Sequence, residues 1–338
     1  MDIVKVFVGL DYHMDSVQVC VLDEAGKMRC NRSVPNDAGV IFQIAQAYGA
    51  VQAAALEACC GAANLAEELV AKGWSVSLAH TGYVARMKQN PDKTDYGDAR
   101  LLADLLRVGY LPKVWLAPDR LRRLRRLVRH RQDFVDQRRD IKLRIRALLR
   151  ENRIKSPVGM SPWTKAWLAW LETEAPLQEE DRWMLENHLM MLKLTGEQIS
   201  RTEEQLERWS ADDAVIQKLR TMPGVGLVTA TTLRAEVGHF DRFQRGKQLA
   251  KFCGVTPQNA SSGSRQADAG LIQTGNPQLR RVVVELAHRL INRGPERWCQ
   301  LAGKLLKNGK KKNVVVSAIA NRWVRWLHHQ MQPEALSI

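Results

Sequence analysis

The stretch RLRRLRRLVRHRQDFVDQRRDIKLRIRALLREN places Leu127, Phe134, Ile141 and Leu148 at strict seven-residue spacing, with Val128, Val135 and Leu149 beside them. A repeat of seven can only be held by a long helix with one apolar seam, the pattern of a coiled coil. The helix is expected from about Pro118 to Arg153. Between Arg120 and Arg153 there are 14 Arg and Lys against 4 Asp and Glu, an excess of 10 in a chain whose net charge is +15. Solvated helical faces usually mix signs. A helix of one sign is suited instead to following phosphates, and Arg122, Arg123, Arg125, Arg126, Arg129, Arg138, Arg139 and Lys142 are the candidate contacts.

The segment after it inverts the sign. From Glu172 to Asp213 the chain carries 12 acids and 4 bases, with Leu185, Leu189, Leu192 and Ile199 in a helical stripe. The two together predict an antiparallel helical hairpin whose acidic arm pairs part of the basic one. Trp163, Trp167 and Trp170 share one helical face and read as core or interface. At 338 residues the chain has room for two or three domains. The six cysteines are scattered without metal-binding spacing, which points to a reducing cytosol. No apolar run is long enough for a membrane span, and MDIVKVFVGLD lacks the layout of a signal peptide.

Ahead of the basic helix the pattern changes to alternation. Val4–Leu10, Ser16–Leu22 and Met28–Val34 read as a three-stranded antiparallel meander. Asp37–Ala47 reads as a helix, Ala50–Leu56 as a buried strand, Asn64–Ala71 as a helix and Trp74–Ala79 as a fifth strand. That order is the order of a ribonuclease-H-like α/β fold. Two acids end strands here, Asp11 and Glu57, and a helix from Lys93 to Leu106 opens with Asp95 and Asp98 one turn apart on one face. Stacked carboxylates repel unless a cation or a proton lies between them. Each acid alone has an ordinary reading: a strand end, a surface acid, an acidic helix N-terminus. Together they form a set that can hold two magnesium ions roughly 3.5–4 Å apart for phosphoryl transfer, with manganese as a substitute. Hard cations take carboxylate oxygens, and no thiol or imidazole pair favours zinc.

The C-terminal third begins near Val215. MPGVGLVTATTLRAEVG resembles one helix-hairpin-helix element, in which backbone amides after a Gly turn approach a phosphate. Phe240–Val255 reads as a helix, TPQNASSGSRQADAGLIQTGNPQLRR as a polar loop, and Leu279–Ile291 and Val314–His329 as amphipathic helices. Lys310, Lys311 and Lys312 form a second phosphate-binding candidate or a solvated loop. In the serine loop Gly263 lets backbone approach a ligand, and Arg265 is placed to hold a phosphate. Residue chemistry alone does not single out a nucleophile among Ser261, Ser262 and Ser264, and no His at a telling spacing argues for a Ser-His-Asp set.

FVGLDYH, ALEACCG, KTDYGDARLLA, MPGVGLVTA, FCGVTP and SSGS…GNPQLRR occur in this order over essentially the whole chain. The combination resembles the insertion-sequence one-ten family of DEDD transposases, the serine recombinases guided by a bridge or seek RNA. The resemblance implies an α/β plus α architecture in three parts. These are a RuvC-like catalytic domain over 1–115, a helical coiled-coil region over 116–213 and a mainly helical transposase domain over 214–331. It implies that Asp11, Glu57, Asp95 and Asp98 bind magnesium, and that Ser262 attacks DNA and becomes covalently joined to it. It further implies a noncoding guide RNA from the element, donor and target DNA, and a homodimer assembling to a tetramer in the bacterial cytosol. The coiled-coil seam is the expected dimerisation surface. One departure is that Ala58, Cys59, Cys60 and Gly61 follow Glu57, where the family often has Ala-Thr-Gly. A nuclease or junction resolvase needs only the four acids and the basic surfaces. A non-catalytic binding scaffold leaves the acids unexplained, and an actin-like ATPase lacks the further phosphate loops it requires.

Overall fold

A computed structural model describes residues 4–88, 94–259 and 268–332. Contacts divide the chain into two compact units, Met1–Asp119 and Arg120–Ile338. In the first, β1 (Lys5–Tyr12), β2 (Ser16–Asp23) and β3 (Met28–Pro35) form the expected meander. Helix α1 (Ala38–Gln46) follows, its N-terminus capped by the Asp37 carboxylate, which accepts from the amides of Gly39 and Val40 at 2.7 and 2.9 Å. Strand β4 (Ala50–Glu57) returns parallel to β1, and α2 (Ala62–Ala71) leads to β5 (Val76–Ala79), parallel to β4. Helices α3 (Thr81–Met87) and α4 (Asp95–Arg107) come next, and the short β6 (Lys113–Val114) closes a sheet of order β3-β2-β1-β4-β5-β6. Neither α3 nor β6 is legible in the sequence. Strand β5 is shorter than expected because Trp74 leaves the strand to stack on Phe42, 5.6 Å between ring centroids.

Strand alternation decides what each face of this sheet does. Val6, Val8 and Leu10 of β1 and Ala54 and Leu56 of β4 belong to one core, together with Ile41 of α1 and Leu65 and Leu69 of α2. Phe7, Ala53 and Ala55, one residue out of phase, pack instead with Leu102 and Leu106 of α4. Gly9 has the same phase. A Cβ there would lie 2.0 Å from the carbonyl oxygen of Ala99 and 2.5 Å from the amide of Ala103. The absent side chain is what lets α4 lie directly on β1, helped by Ala99 and Ala103 on its buried side. Gly9→Ala therefore has no cheap relaxation, since both obstacles are backbone. It is expected to cost on the order of 1–3 kcal/mol, read as a thermal midpoint several degrees lower.

The second unit opens with α5 (Asp119–Glu151), followed by α6 (Lys165–Thr173) and α7 (Glu179–Ser210). Leu124 and Val128 of α5 share a core with Leu206, while Ile141, Ile145 and Leu148 share another with Leu185. The two long helices thus run antiparallel, and Arg131 reaches Glu203 at 2.7 Å across them. This is the hairpin the charge inversion predicts. The seam, however, is not a free dimerisation surface. Ile141 and Leu148 are buried within their own chain against Trp167, Trp170 and Leu171, and Leu127 packs against the core that holds Leu124. A seven-residue repeat says that a helix has a partner but not which chain supplies it.

The remaining helices are α8 (Ala214–Arg220), α9 (Leu227–Val237), α10 (Gly246–Phe252), α11 (Pro277–Arg293), α12 (Glu296–Lys307) and α13 (Lys312–Gln330). Here the expectations need two corrections. The stretch Phe240–Val255 is helical only from Gly246, where the amide of Arg245 donates to the Gln248 side chain and starts the turn. The polar loop is flanked by a hairpin of β7 (Pro257–Asn259) and β8 (Asp268–Leu271). Helix α12 was also not anticipated. No helix among the described residues is long and apolar enough to cross a membrane.

Candidate active site and nucleic-acid interface

Asp11 is the last residue but one of β1, in the phase that faces α4, and Glu57 ends β4 in the same phase. The two strands are parallel, with Leu10 opposite Leu56, so both acids emerge at the same end of the sheet on the same face. Helix α4 starts there. Thr94 caps it by accepting from the amide of Gly97 at 3.1 Å, which sets Asp95 and Asp98 in its first turn. Three elements therefore deliver the four acids to one region. The thiol of Cys59, just beyond β4, is pushed up by burial and by the charges of both Asp11 and Glu57.

Two nitrogen side chains that the sequence did not single out complete the cluster. His13 Nε2 lies 3.4 Å from Asp11 Oδ2 and 3.2 Å from Asp95 Oδ2. Lys88, just after α3, places its ammonium 2.7 Å from Asp98 Oδ1. Ligand atoms of Asp11, His13 and Asp95 lie within 4.8 Å of one another. Asp98 is buried and committed to Lys88, and Glu57 stands outside that trio on the neighbouring strand. Burial holds the Asp11 carboxyl above the usual carboxylate range and the charges of Asp95 and Asp98 raise it further, while His13 pulls the other way. Carboxylates gathered at such cost fit a divalent cation: the donors are mostly hard oxygens, and a single imidazole suits a first-row ion without making a zinc site. His13 was legible only as the last letter of FVGLDYH, because its role depends on a helix more than eighty residues away.

The basic helix divides into two kinds of arginine. Arg125 donates from Nε and Nη2 to the Ala235 carbonyl at 3.2 and 3.0 Å and lies 3.5 Å from Glu236. Arg129 makes a two-point pair with Glu236, at 2.9 and 3.1 Å. Glu236 is only 2 % exposed. Arg125 is thus tied up as an internal counter-charge, while Arg129, whose side chain is 51 % exposed, pairs with Glu236 and still faces solvent. Asn276 adds a third donor to the same carboxylate, Nδ2 to Oε2 at 2.7 Å, while its Oδ1 caps α11. The preceding Gly275, at φ +117°, presses against Gly254, where a Cβ would meet backbone at 2.7 Å. The GNP and FCG stretches are therefore parts of one joint.

Further along α5, Arg126, Arg139 and Lys142 retain outward positions. Arg139 shares its charge with Asp136 and Asp140. Lys142 and Arg146 lie over the ring of Trp163, 4.7 and 5.5 Å from its centroid. Burial depresses the Lys142 ammonium, and the charges of Arg138 and Arg146 depress it further. Trp163 holds a φ of +69°, an uncommon conformation for a bulky residue. Arg122 and Arg123 have partners within the protein. Lys310, Lys311 and Lys312 are exposed between α12 and α13. Ser261, Ser262, Ser264 and Arg265 lie outside the described residues.

An α/β sheet of this order, with carboxylates collected at the ends of its parallel strands and an arginine-rich helix following, has the build of a metal-dependent enzyme acting on nucleic acid. A family model described as a transposase, of the DEDD type and the IS110 group, matches residues 8–153, and one described as "Transposase IS116/IS110/IS902 family" matches residues 216–301. The chain is similar to the "Transposase for insertion sequence element IS1111A" of Coxiella burnetii, 26% identical over 323 residues that cover 94% of this chain and 88% of that one. It is also similar to the "Transposase for insertion sequence element IS1328" of Yersinia enterocolitica, 26% identical over 80% of this chain and 81% of that one. A "Probable family 20 transposase" of Pseudomonas aeruginosa is 27% identical over 81% and 82%. The chain belongs to the IS110 family of transposases and is a DNA-transposing enzyme. A ribonuclease-H-like fold for its first unit and use of a divalent metal follow from the DEDD domain.

Proposed function

We propose that this transposase cuts and rejoins DNA through a covalent phosphoserine intermediate, dependent on magnesium and directed by a noncoding RNA of its own element. The observation that carries the metal dependence is the convergence of Asp11, Asp95 and Asp98, with Glu57 beside them, on one face of one sheet end. Magnesium, when bound, would polarise the scissile phosphate and stabilise the leaving oxygen. Asp11 and Asp95 would hold it, with Asp98 and Glu57 completing the set. Lys88 balances part of the acids' charge, and His13 bridges Asp11 and Asp95. In the first step the Ser262 hydroxyl oxygen bonds to phosphorus and gives up its proton. The bond from phosphorus to the leaving strand's sugar oxygen breaks, and that oxygen takes a proton. Attack by a sugar hydroxyl of the partner strand reverses the step and frees the serine.

The wider assembly belongs to the same reading. The RuvC-like domain spans 1–115, the helical region 116–213 and the transposase domain 214–331. The outward cations of α5 and Lys310–Lys312 suit RNA or DNA backbone, so base pairing by the guide would carry sequence specificity. With Ile141 and Leu148 committed internally, the exposed Trp183, Met190 and Leu194 of α7 supply an apolar face for a second copy, and two dimers would form the synaptic tetramer in the bacterial cytosol.

The test is DNA that stays attached to protein under full denaturation. Protein would be expressed with the element's flanking DNA and a target plasmid, as wild type, Ser262→Ala and Asp98→Ala. An adduct in wild type alone is expected. Nicked DNA without an adduct, unchanged in Ser262→Ala, would establish a metal-dependent nuclease instead.

A further inference from the structure

Arg242, Phe243, Gln244, Gln248, Lys251, Phe252, Thr274 and Gly275 line an open groove of about 550 Å3 in the second unit. That volume falls within the roughly 300–1,000 Å3 of small-ligand sites. None of the residues proposed above for catalysis lies in it. Its floor is built from three groups in contact, the two rings tilted by 48°. The rings of Phe243 and Phe252 are 5.3 Å apart, and the Arg242 guanidinium lies 4.5 Å from one centroid and 4.9 Å from the other. Arg242 Nε donates to the Val237 carbonyl at 2.9 Å, which fixes the plane of the guanidinium. Burial, with Arg125 nearby, pushes Arg242 down to about 10, so it is still charged at neutral pH. The rim is polar: Lys251, Gln244, Gln248 and Thr274 are all exposed, and among the described residues no carboxylate lines the groove.

A floor of two aromatic edges and faces with a guanidinium over them, under a cationic, amide-bearing rim, suits a flat ring that carries a nearby anion. In a nucleic acid that is one nucleotide with its base out of the stack. In the sequence, Thr274 and Gly275 follow β8, which itself comes after the serine stretch. We propose that this groove binds one unstacked nucleotide of the DNA strand, its base against Phe243, Phe252 and Arg242 and its phosphate at Lys251. The proposal rests on the reading that this unit acts on DNA. It gives the enzyme a hold on a single strand that is independent of sequence, since every base presents a π-face.

The probe is an oligodeoxythymidine carrying one 2-aminopurine, whose emission is quenched on stacking. It would be titrated into full-length wild type, Phe243→Leu, Phe252→Leu, Lys251→Gln and, as a control on α7, Lys193→Gln, with circular dichroism on each. Wild type is expected to quench. The two leucine variants should lose the quench and bind about tenfold more weakly. Lys251→Gln should reduce the slope of log affinity against log salt by about 0.7, as for one lost phosphate on a single strand, while Lys193→Gln leaves it unchanged. Should the leucine variants fold poorly, the Lys251→Gln salt slope decides alone. An unquenched wild type, quenching that survives both leucine changes, an unaltered slope in Lys251→Gln, or preference for the matching RNA would each overturn the proposal. Adduct formation on native DNA without quenching removes the groove alone. Quenching without an adduct removes the serine chemistry and leaves the groove standing.

Discussion

Asp11→Asn is expected to abolish strand cleavage while leaving the first unit as stable as wild type or more so. The two effects have one cause. Asp11 is half-buried among like charges, and its carboxyl sits above the ordinary value near 3.8. The folded state therefore holds the Asp11 proton more tightly than the unfolded chain does. Its contribution is most favourable below 3.8 and is lost as pH rises through the raised folded value. An amide of the same shape removes that penalty, so in chelator the midpoint of Asp11→Asn should gain on wild type as pH climbs through that window. Cleavage responds in the opposite direction. Losing an outer-shell partner of a metal costs about 10–100-fold, and losing a ligand should cost more than about 100-fold. Single-turnover cleavage in magnesium and thermal melts across pH measure both. Cleavage retained within about tenfold of wild type would remove Asp11 from the metal set.

Glu236→Ala should be the most damaging single change in the second unit. The carboxylate is 2 % exposed and is met by Arg125, Arg129 and the Asn276 amide, from α5 and the start of α11. Deleting it leaves the partly buried Arg125 without its counter-charge and frees Arg129, half of whose side chain already meets water. Breaking a buried ion pair from one side costs about 3–5 kcal/mol. Glu236→Gln keeps a carbonyl oxygen for Asn276 and should cost less, on the order of 1–3 kcal/mol. Denaturant unfolding of the two variants gives the comparison. A loss below about 1 kcal/mol for Glu236→Ala would show the cluster to be hydrated rather than structural.

What the sequence made legible follows from the range of the forces involved. The meander, β4 and α4 are local patterns, alternation of two and a stripe of 3.6, and they appear where the residues place them. Asp11 and Glu57 were readable because a strand end is a local event, and Asp95 and Asp98 because helical spacing is. His13 and Lys88 were not, since each acquires its role from an acid on another element. Arg125 and Arg129 looked like their neighbours on α5 until Glu236, over a hundred residues on, claimed them. The seam of α5 shows the same limit for apolar residues: the period marked Ile141 and Leu148 for burial, and only the fold named Trp167 and Leu185 as what buries them. Short elements such as α3 and the β7–β8 hairpin carry too few residues to display a period at all, whereas α12 has its stripe in Trp298, Leu301, Ala302 and Leu305.

The antiparallel pairing of α5 with α7 also gives the second unit a permanent polarity. The stretch from Arg120 to Arg153 that holds nearly all of one long arm carries an excess of 10 positive charges, and the segment containing the other carries 12 acids against 4 bases. Only some of these neutralise each other, as Arg131 and Glu203 do. A body charged in this way experiences a torque in the field of a polyanion as well as an attraction. It would turn its basic flank inward during approach, before any side chain touches a phosphate. Salt that screens this field would then slow productive arrival more than it weakens the finished complex, because orientation is lost over distances at which short contacts are untouched.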